Sequence, residues 1–186
     1  MAELYVALIH APVYNKHGQV VATSITNLDI HDIARACTTY AVKRYYLVHP
    51  AEAQRALARR IMGFWQEGYG ATYNPDRKEA FSRVSLSSSL AEVKGEIAAE
   101  CGAFPVCIAT DARQYPTAIS YAWLRARLEN DDARPYLLLF GTGWGLLEQD
   151  VRQADLILAP VYGPGEYNHL SVRSAVSIIL DRLRGR

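Results

Sequence analysis

Between Pro135 and Arg186 two uninterrupted apolar runs each stop at glycine. Tyr136-Leu137-Leu138-Leu139-Phe140 breaks into Gly141-Thr142-Gly143-Trp144-Gly145, and Leu156-Ile157-Leu158-Ala159-Pro160-Val161 breaks into Tyr162-Gly163-Pro164-Gly165. Apolar runs without polar alternation read as strands buried on both faces. Glycine directly after such a strand marks backbone that takes positive φ or approaches something too closely for a Cβ. A single such glycine is most simply a turn, but two clusters close in sequence point to the two lips of one crevice. Asn168 to Leu183 then carries Leu170, Val172, Val176, Ile179, Leu180 and Leu183 at helical spacing, with first-turn amides free to meet a ligand.

The rest of the chain alternates the same two patterns. Leu4 to Ile9 reads as a first strand, and the stretch Ala11 to Asn27 as a long loop. A helix follows, capped by Asn27 or Asp29, with Leu28, Ile30, Ile33, Ala34, Cys37 and Ala41 on its inner side and His31, Asp32 and Arg35 near its amino end. Arg44 to His49 is the next strand, Ala51 to Gln66 a helix, Ser82 to Leu86 a short strand and Ser89 to Cys101 a serine-capped helix. Phe104 to Ala109 is a buried strand ending in Thr110-Asp111-Ala112-Arg113, Pro116 to Leu128 a helix, and Glu129-Asn130-Asp131-Asp132 a solvated link. The segment Trp65 to Glu79 interleaves aromatics with Arg77 and Lys78. It fits a base-stacking surface or aromatic packing beneath a loop with a helix cap at Asn74-Pro75.

Strands alternating with helices, and apolar runs without alternation, predict an α/β fold with a mainly parallel sheet and helices on both faces. Ligands of such sheets sit at the carboxyl ends of the strands, where loops begin at Thr110, Gly141 and Tyr162. A dinucleotide fingerprint does not fit, because Gly141-Thr142-Gly143 is followed by Leu146 where a third glycine belongs. The 186 residues, 50% hydrophobic, predict a single domain spanning 1–186 with its own core. A net charge of +1 excludes a globally basic nucleic-acid binder, so any RNA site is a local patch or is completed by a partner. No apolar stretch reaches the roughly 18 residues of a membrane span, and Met1-Ala2-Glu3-Leu4 lacks a basic leader. The expectation is a soluble cytoplasmic protein. Cys37, Cys101 and Cys107 read as buried thiols in a reducing compartment, and His10, His17 and His49 make no zinc pattern, so no metal is expected.

Three motifs, Phe140-Gly141-Thr142-Gly143, Ala159-Pro160-Val161-Tyr162-Gly163 and Asn168-His169-Leu170-Ser171-Val172, resemble in order and spacing the SPOUT-class RNA methyltransferases. The amino-terminal stretches Ala7-Leu8-Ile9-His10 and Thr26 to Arg35 are similar to a small bacterial branch of that class that also occurs fused to tRNA guanine-N1 methyltransferases. The resemblance covers nearly the whole chain. It implies a carboxyl-terminal trefoil knot, a homodimer, an RNA substrate, tRNA above all, and S-adenosylmethionine (SAM) as cofactor. The cofactor residues it implies are Thr110, Asp111 and Ala112; Phe140, Gly141, Thr142, Gly143 and Trp144; and Leu158, Pro160, Tyr162, Gly163, His169, Leu170, Ser171 and Val172. Leu139, Leu158 and Leu170 would wall the adenine.

For catalysis, Asn27 and Arg35 are the nearest matches to an Asn and Arg of the tRNA ribose-methylating branch, and His31 shares a helix face with Arg35. The sequence departs from that pattern in three places: the spacing from Asn27 to Arg35 is longer than in that branch, His169 is inserted before Leu170-Ser171-Val172, and no Glu follows Gly143. Cofactor binding therefore carries over better than catalysis. A second reading is a non-catalytic SAM- or nucleotide-binding module acting beside another tRNA-modifying enzyme, and methyl transfer from labelled SAM to RNA separates the two.

Overall fold

The computed structural model describes residues 1–130 and 133–186, so Asp131 and Asp132 of the expected solvated link lie outside the described residues. In chain order the elements are β1 (Leu4–Ile9), β2 (Val13–Tyr14), β3 (Val20–Val21), α1 (Asn27–Thr39), β4 (Arg44–Val48), α2 (Glu52–Gln66), α3 (Tyr69–Tyr73) and α4 (Pro75–Ser82). There follow β5 (Val84–Ser87), α5 (Leu90–Cys101), β6 (Val106–Ala109), α6 (Tyr121–Asn130), β7 (Tyr136–Gly141), α7 (Glu148–Gln153), β8 (Leu156–Ile157) and α8 (Val172–Arg184). Six strands form one sheet in the order β5-β4-β1-β7-β6-β8, and β2 pairs with β3 in a separate hairpin. Every pairing in the large sheet is parallel.

The register explains why the strands read as unbroken apolar runs. β1 lies at the centre with Tyr5 opposite Arg44 on one side and Leu137 on the other, and all six of its residues are buried. Alternate side chains serve opposite faces. Leu4, Val6 and Leu8 join Leu138 and Phe140 under α1, α6 and α8, where Ile30, Ile33, Leu124, Val176 and Leu180 pack. Tyr5, Ala7 and Ile9 join Leu137 and Leu139 under α5 and α7, where Val93, Ile97 and Val151 pack. Each fully buried aliphatic side chain contributes roughly 1.5–3 kcal/mol relative to exposure, so α8 is held by Val176, Ile179, Leu180 and Leu183 more than by propensity.

Several element ends differ from the sequence reading. Thr26, not Asn27 or Asp29, caps α1: its hydroxyl accepts from the Asp29 amide at 3.1 Å and donates to the Asp29 carboxylate at 2.6 Å. Leu28 is 55% exposed and Ala41 lies beyond the helix, exposed at φ 53, so neither joins the inner side. The stretch Ala11 to Asn27 is not all loop, since it holds the β2–β3 hairpin. The Trp65–Glu79 segment is helical, with Asn74 accepting from the Arg77 amide at 3.0 Å and Pro75 in the first turn of α4. α6 begins at Tyr121 rather than Pro116, because Ile119 is used as sheet edge: its amide donates to Ile157 and its carbonyl accepts from Ala159. α8 begins at Val172 rather than Asn168, and Ser171 takes up the Ser174 amide at 3.3 Å, so not all of its first amides are free. β8 is only two residues long, and Phe104, read as strand, is 66% exposed before β6. Cys101 is half-buried against Tyr5 and Glu3 rather than buried.

Candidate functional site

At the carboxyl end of the sheet, the loops after β6, β7 and β8 meet the chain between β2 and α1 around one cleft of about 1270 Å³. Single small-ligand sites occupy roughly 300–1,000 Å³, so this one has room for a ligand and a second reacting group. Thr110, Asp111, Ala112, Phe140, Gly141, Thr142, Gly143, Trp144, Pro160, His169, Leu170, Ser171 and Val172 line it. Leu158, Tyr162 and Gly163 do not. Leu158 is 1% exposed inside the core, and Tyr162 is 51% exposed, facing solvent. Leu139 also turns away, into the core under α5 and α7, so Phe140 and Val161 supply apolar wall in place of Leu139 and Leu158.

The glycine loop is shaped by clearance as much as by rotation. Positive φ occurs at Gly143 and Gly145, whereas at Gly141 a Cβ would lie 2.5 Å from the Leu146 amide nitrogen and 2.7 Å from the Gly145 carbonyl carbon. The β2–β3 hairpin seals the loop from above: the Trp144 amide donates to Tyr14 at 2.8 Å and the Tyr14 amide to Gly145 at 3.1 Å. That contact brings Tyr14, Asn15, Lys16 and Gly18 onto the cleft wall. Strands of two residues leave no periodic signal, so the sequence shows a long loop of a commonly functional kind but does not place these groups at the cleft.

Beneath the loop, Thr142 donates to the Ile9 carbonyl at 3.1 Å, and its hydroxyl is bonded to that of Thr23, which is in turn 3.2 Å from His10 Nδ1. His10 is fully buried, and burial pushes its pKa down to about 4, so the imidazole is neutral at pH 7. On the opposite lip, Asp111 grips Arg113 at 2.6 Å and accepts from the Tyr115 hydroxyl at 3.1 Å. The Asp111 hydrogen bonds hold the Arg113 pKa above its ordinary value. Asn168 donates to the Ala112 carbonyl at 2.8 Å, tying the segment before α8 to this lip. His169 belongs to that segment, not to a helix turn, and its ring lies between Trp144 and Tyr167 at centroid distances of 6.1 and 5.5 Å.

Asn27, His31 and Arg35 do not line the cleft; Thr26 and Asp29 do. Residues four apart share a helix face, and the face carrying His31 turns to α4. The His31 ring is 4.7 Å from Phe81 and 5.3 Å from Trp65, and burial there, with the Arg77 cation, pushes its pKa below the usual histidine value. Arg35 is exposed. Asp29, 7% exposed, sits one step around the helix, with Arg173 Nε 3.7 Å from one carboxylate oxygen; Arg173 also pairs with Asp32 at 2.7 Å. A carboxylate beside the buried stripe of Ile30, Ile33 and Cys37 was the available signal for it. Among the described residues no group of three or more His, Cys, Asp or Glu could hold a metal ion, and no helix is long and apolar enough to cross a membrane.

The cleft suits a nucleoside carrying a cationic centre: apolar wall at Phe140, Val161 and Ile179, hydroxyls at Thr110, Thr142 and Ser171, and the Asp29 carboxylate. The comparisons agree with that chemistry. A protein of Aquifex aeolicus is 43% identical over 183 residues, covering 98% of this chain and 89% of that one. A tRNA (guanine-N(1)-)-methyltransferase of Nitratidesulfovibrio vulgaris is 43% identical over 182 residues, but this chain spans only 42% of its length. The fold is shared with TrmJ from Z. mobilis, at TM-score 0.63 and 17% identity over 98% of this chain and 69% of that one. It is shared also with the SpoU methyltransferase AviRb from Streptomyces viridochromogenes, solved with AdoMet, at TM-score 0.60 and 17% identity over 97% of this chain and 56% of that one. A family model described as SAM-dependent RNA methyltransferase matches residues 3–185, and on that match, laid over a parallel sheet of the same fold, the chain belongs to the SAM-dependent RNA methyltransferase family.

Proposed function

We propose that this cleft holds SAM against the Thr110, Gly141 and Pro160–Val172 loops and that the methyl acceptor is a nucleotide of tRNA. The observation that carries the reading is one cleft, at the strand ends, that takes in the three loops together with the Asp29 carboxylate. Bound SAM supplies an electrophilic methyl group on a sulfonium. What remains for the chain is alignment of the acceptor and removal of its proton. Asp29 is the group we assign to receive that proton, from a ring nitrogen or a hydroxyl, with Thr26 and Arg173 holding the carboxylate in place.

Arg35 and Asn27, both exposed on α1, are assigned to RNA rather than to the methyl group, because a guanidinium grips phosphate well, while His31 packs against Phe81 and Trp65. Labelled SAM with total cellular RNA tests the function, and label in RNA is the expected result. Arg35→Ala is expected to leave SAM affinity unchanged, weaken RNA binding and reduce the salt slope by about one. Absence of label in any RNA sinks the function, and an unchanged RNA affinity sinks the role of Arg35.

We propose further that the single domain 1–186 works as a cytoplasmic homodimer, with α1 and α8 at the contact and the segment after β7 forming a trefoil knot. The bonds from Asn168 to Ala112 and from Ala159 to Ile119 support the knot, since they lay the carboxyl-terminal segment across the chain between β6 and α6. Exposed Leu28 on α1 offers an apolar centre of the kind an isologous interface buries. Light scattering at micromolar concentration is expected to give twice the chain mass; a monomer there ends the dimer proposal.

A further inference from the structure

The helical block between α2 and β5 does not line the cleft, yet it presents aromatic side chains to solvent. Tyr69 and Tyr73 are 74% and 73% exposed, and their rings lie 6.0 Å apart with planes 24° from parallel. They stand one helical turn apart on α3, which is held rigidly. At Gly70 a Cβ would meet the Trp65 ring at 2.6 Å and the Phe64 carbonyl at 2.9 Å, so the bare backbone lets α3 lie directly on the end of α2. Asn74 caps α4 immediately afterwards. The tyrosines on either side of Gly70 are thereby turned outward from a fixed support, not carried on a loose loop.

Family membership, rather than net charge, selects the kind of partner, since from Glu67 to Arg83 three Lys or Arg balance three Asp or Glu. Arg77 lies with its guanidinium 4.3 Å over the Trp65 ring, beside His31, and Arg35 acts on the same histidine from α1. Arg77 thus rests on the same Trp65 ring that Gly70 of α3 approaches, and a cation on the support of an exposed, near-parallel pair of rings fits a polyanion with flat, unpaired groups.

We propose that Tyr69 and Tyr73 form a stacking platform for unpaired bases of the RNA substrate, with Arg77 and Arg35 contacting the adjoining phosphates. The proposal rests on the RNA-methyltransferase reading and adds where, outside the cleft, single-stranded RNA is gripped. Stacking of this kind tolerates any base, because every base has a π face. The platform therefore selects loops over duplex and leaves sequence choice to the cleft.

The test uses the full chain and two labelled RNAs, a stem–loop and a fully paired duplex of equal length, with affinity read by fluorescence anisotropy at several salt concentrations. The double variant Tyr69→Ala/Tyr73→Ala is expected to bind the stem–loop about 10- to 100-fold more weakly, with duplex affinity, SAM affinity and salt slope unchanged. Tyr69→Phe/Tyr73→Phe, which keeps the rings, should restore most of the binding. Wild-type affinity of the alanine variant for the stem–loop overturns the platform, as does a variant whose only change is in self-association by sedimentation, which would make the tyrosines a protein interface. A wild-type chain that binds SAM but neither RNA overturns the RNA reading and the platform together.

Discussion

Gly141→Val is expected to weaken SAM binding by about 100-fold or more while the sheet stays folded. The first atom added at position 141 would sit 2.5 Å from the Leu146 nitrogen and 2.7 Å from the Gly145 carbonyl carbon, both backbone and neither able to swing aside. The branched side chain therefore displaces the loop that carries Thr142, Gly143 and Trp144 along the cleft wall. Overpacking of this kind costs about 1–3 kcal/mol of stability, which a domain of this size survives, whereas the loop's bonds to Ile9 and Tyr14 are lost or bent. Calorimetric titration with SAM alongside thermal melting separates the two effects. Gly95→Ala serves as the control, since α5 leaves open space around Gly95 and a Cβ there meets nothing within 4 Å. A folded Gly141→Val protein with unchanged SAM affinity would place the cofactor elsewhere.

Asp29→Asn is expected to lower the rate of methyl transfer at saturating SAM by about 10²- to 10⁴-fold, the usual contribution of a positioned general base. The amide keeps an acceptor for the Thr26 cap and nearly the same volume, so α1 should be preserved, and saturating SAM offsets any affinity lost with the charge. What it cannot do is receive a proton. Asp32→Asn is the matched control, because Asp32 shares Arg173 with Asp29 at 2.7 Å but is exposed and does not line the cleft. Wild-type turnover in Asp29→Asn, measured with labelled SAM and total cellular RNA, rules out Asp29 as the proton acceptor without touching the assignment of the cleft to SAM. Equal losses in both variants would trace the effect to Arg173 and the α1–α8 packing instead.

The central strands were legible because a parallel sheet covered on both faces asks for apolar side chains at successive positions, and β1, Tyr45 to Val48 of β4 and Tyr136 to Phe140 of β7 supply them. Helix starts were less legible. Ile119 and Leu170 fit a helical period, yet Ile119 is spent on pairing with β8 and Leu170 on the cleft wall. Periodicity reports that a side chain is apolar, not which neighbour buries it. The β2–β3 hairpin shows the same limit, since its bonds run to Trp144 and Gly145, far along the chain.

What the residues determined by themselves is local: unbroken apolar strands, glycines at Gly141 to Gly145 that only a tight loop needs, a common face for His31 and Arg35, and motifs that resemble one family. What only the tertiary structure decided is which side of α1 meets the cleft. The helix rotates to bury Ile30, Ile33 and Cys37 against the sheet, and Phe81 of α4 and Trp65 of α2 cover His31. That rotation turns Thr26 and Asp29 into the cleft and carries Arg35 out of it, because burying apolar surface dominates the energetics and polar groups take the directions that remain.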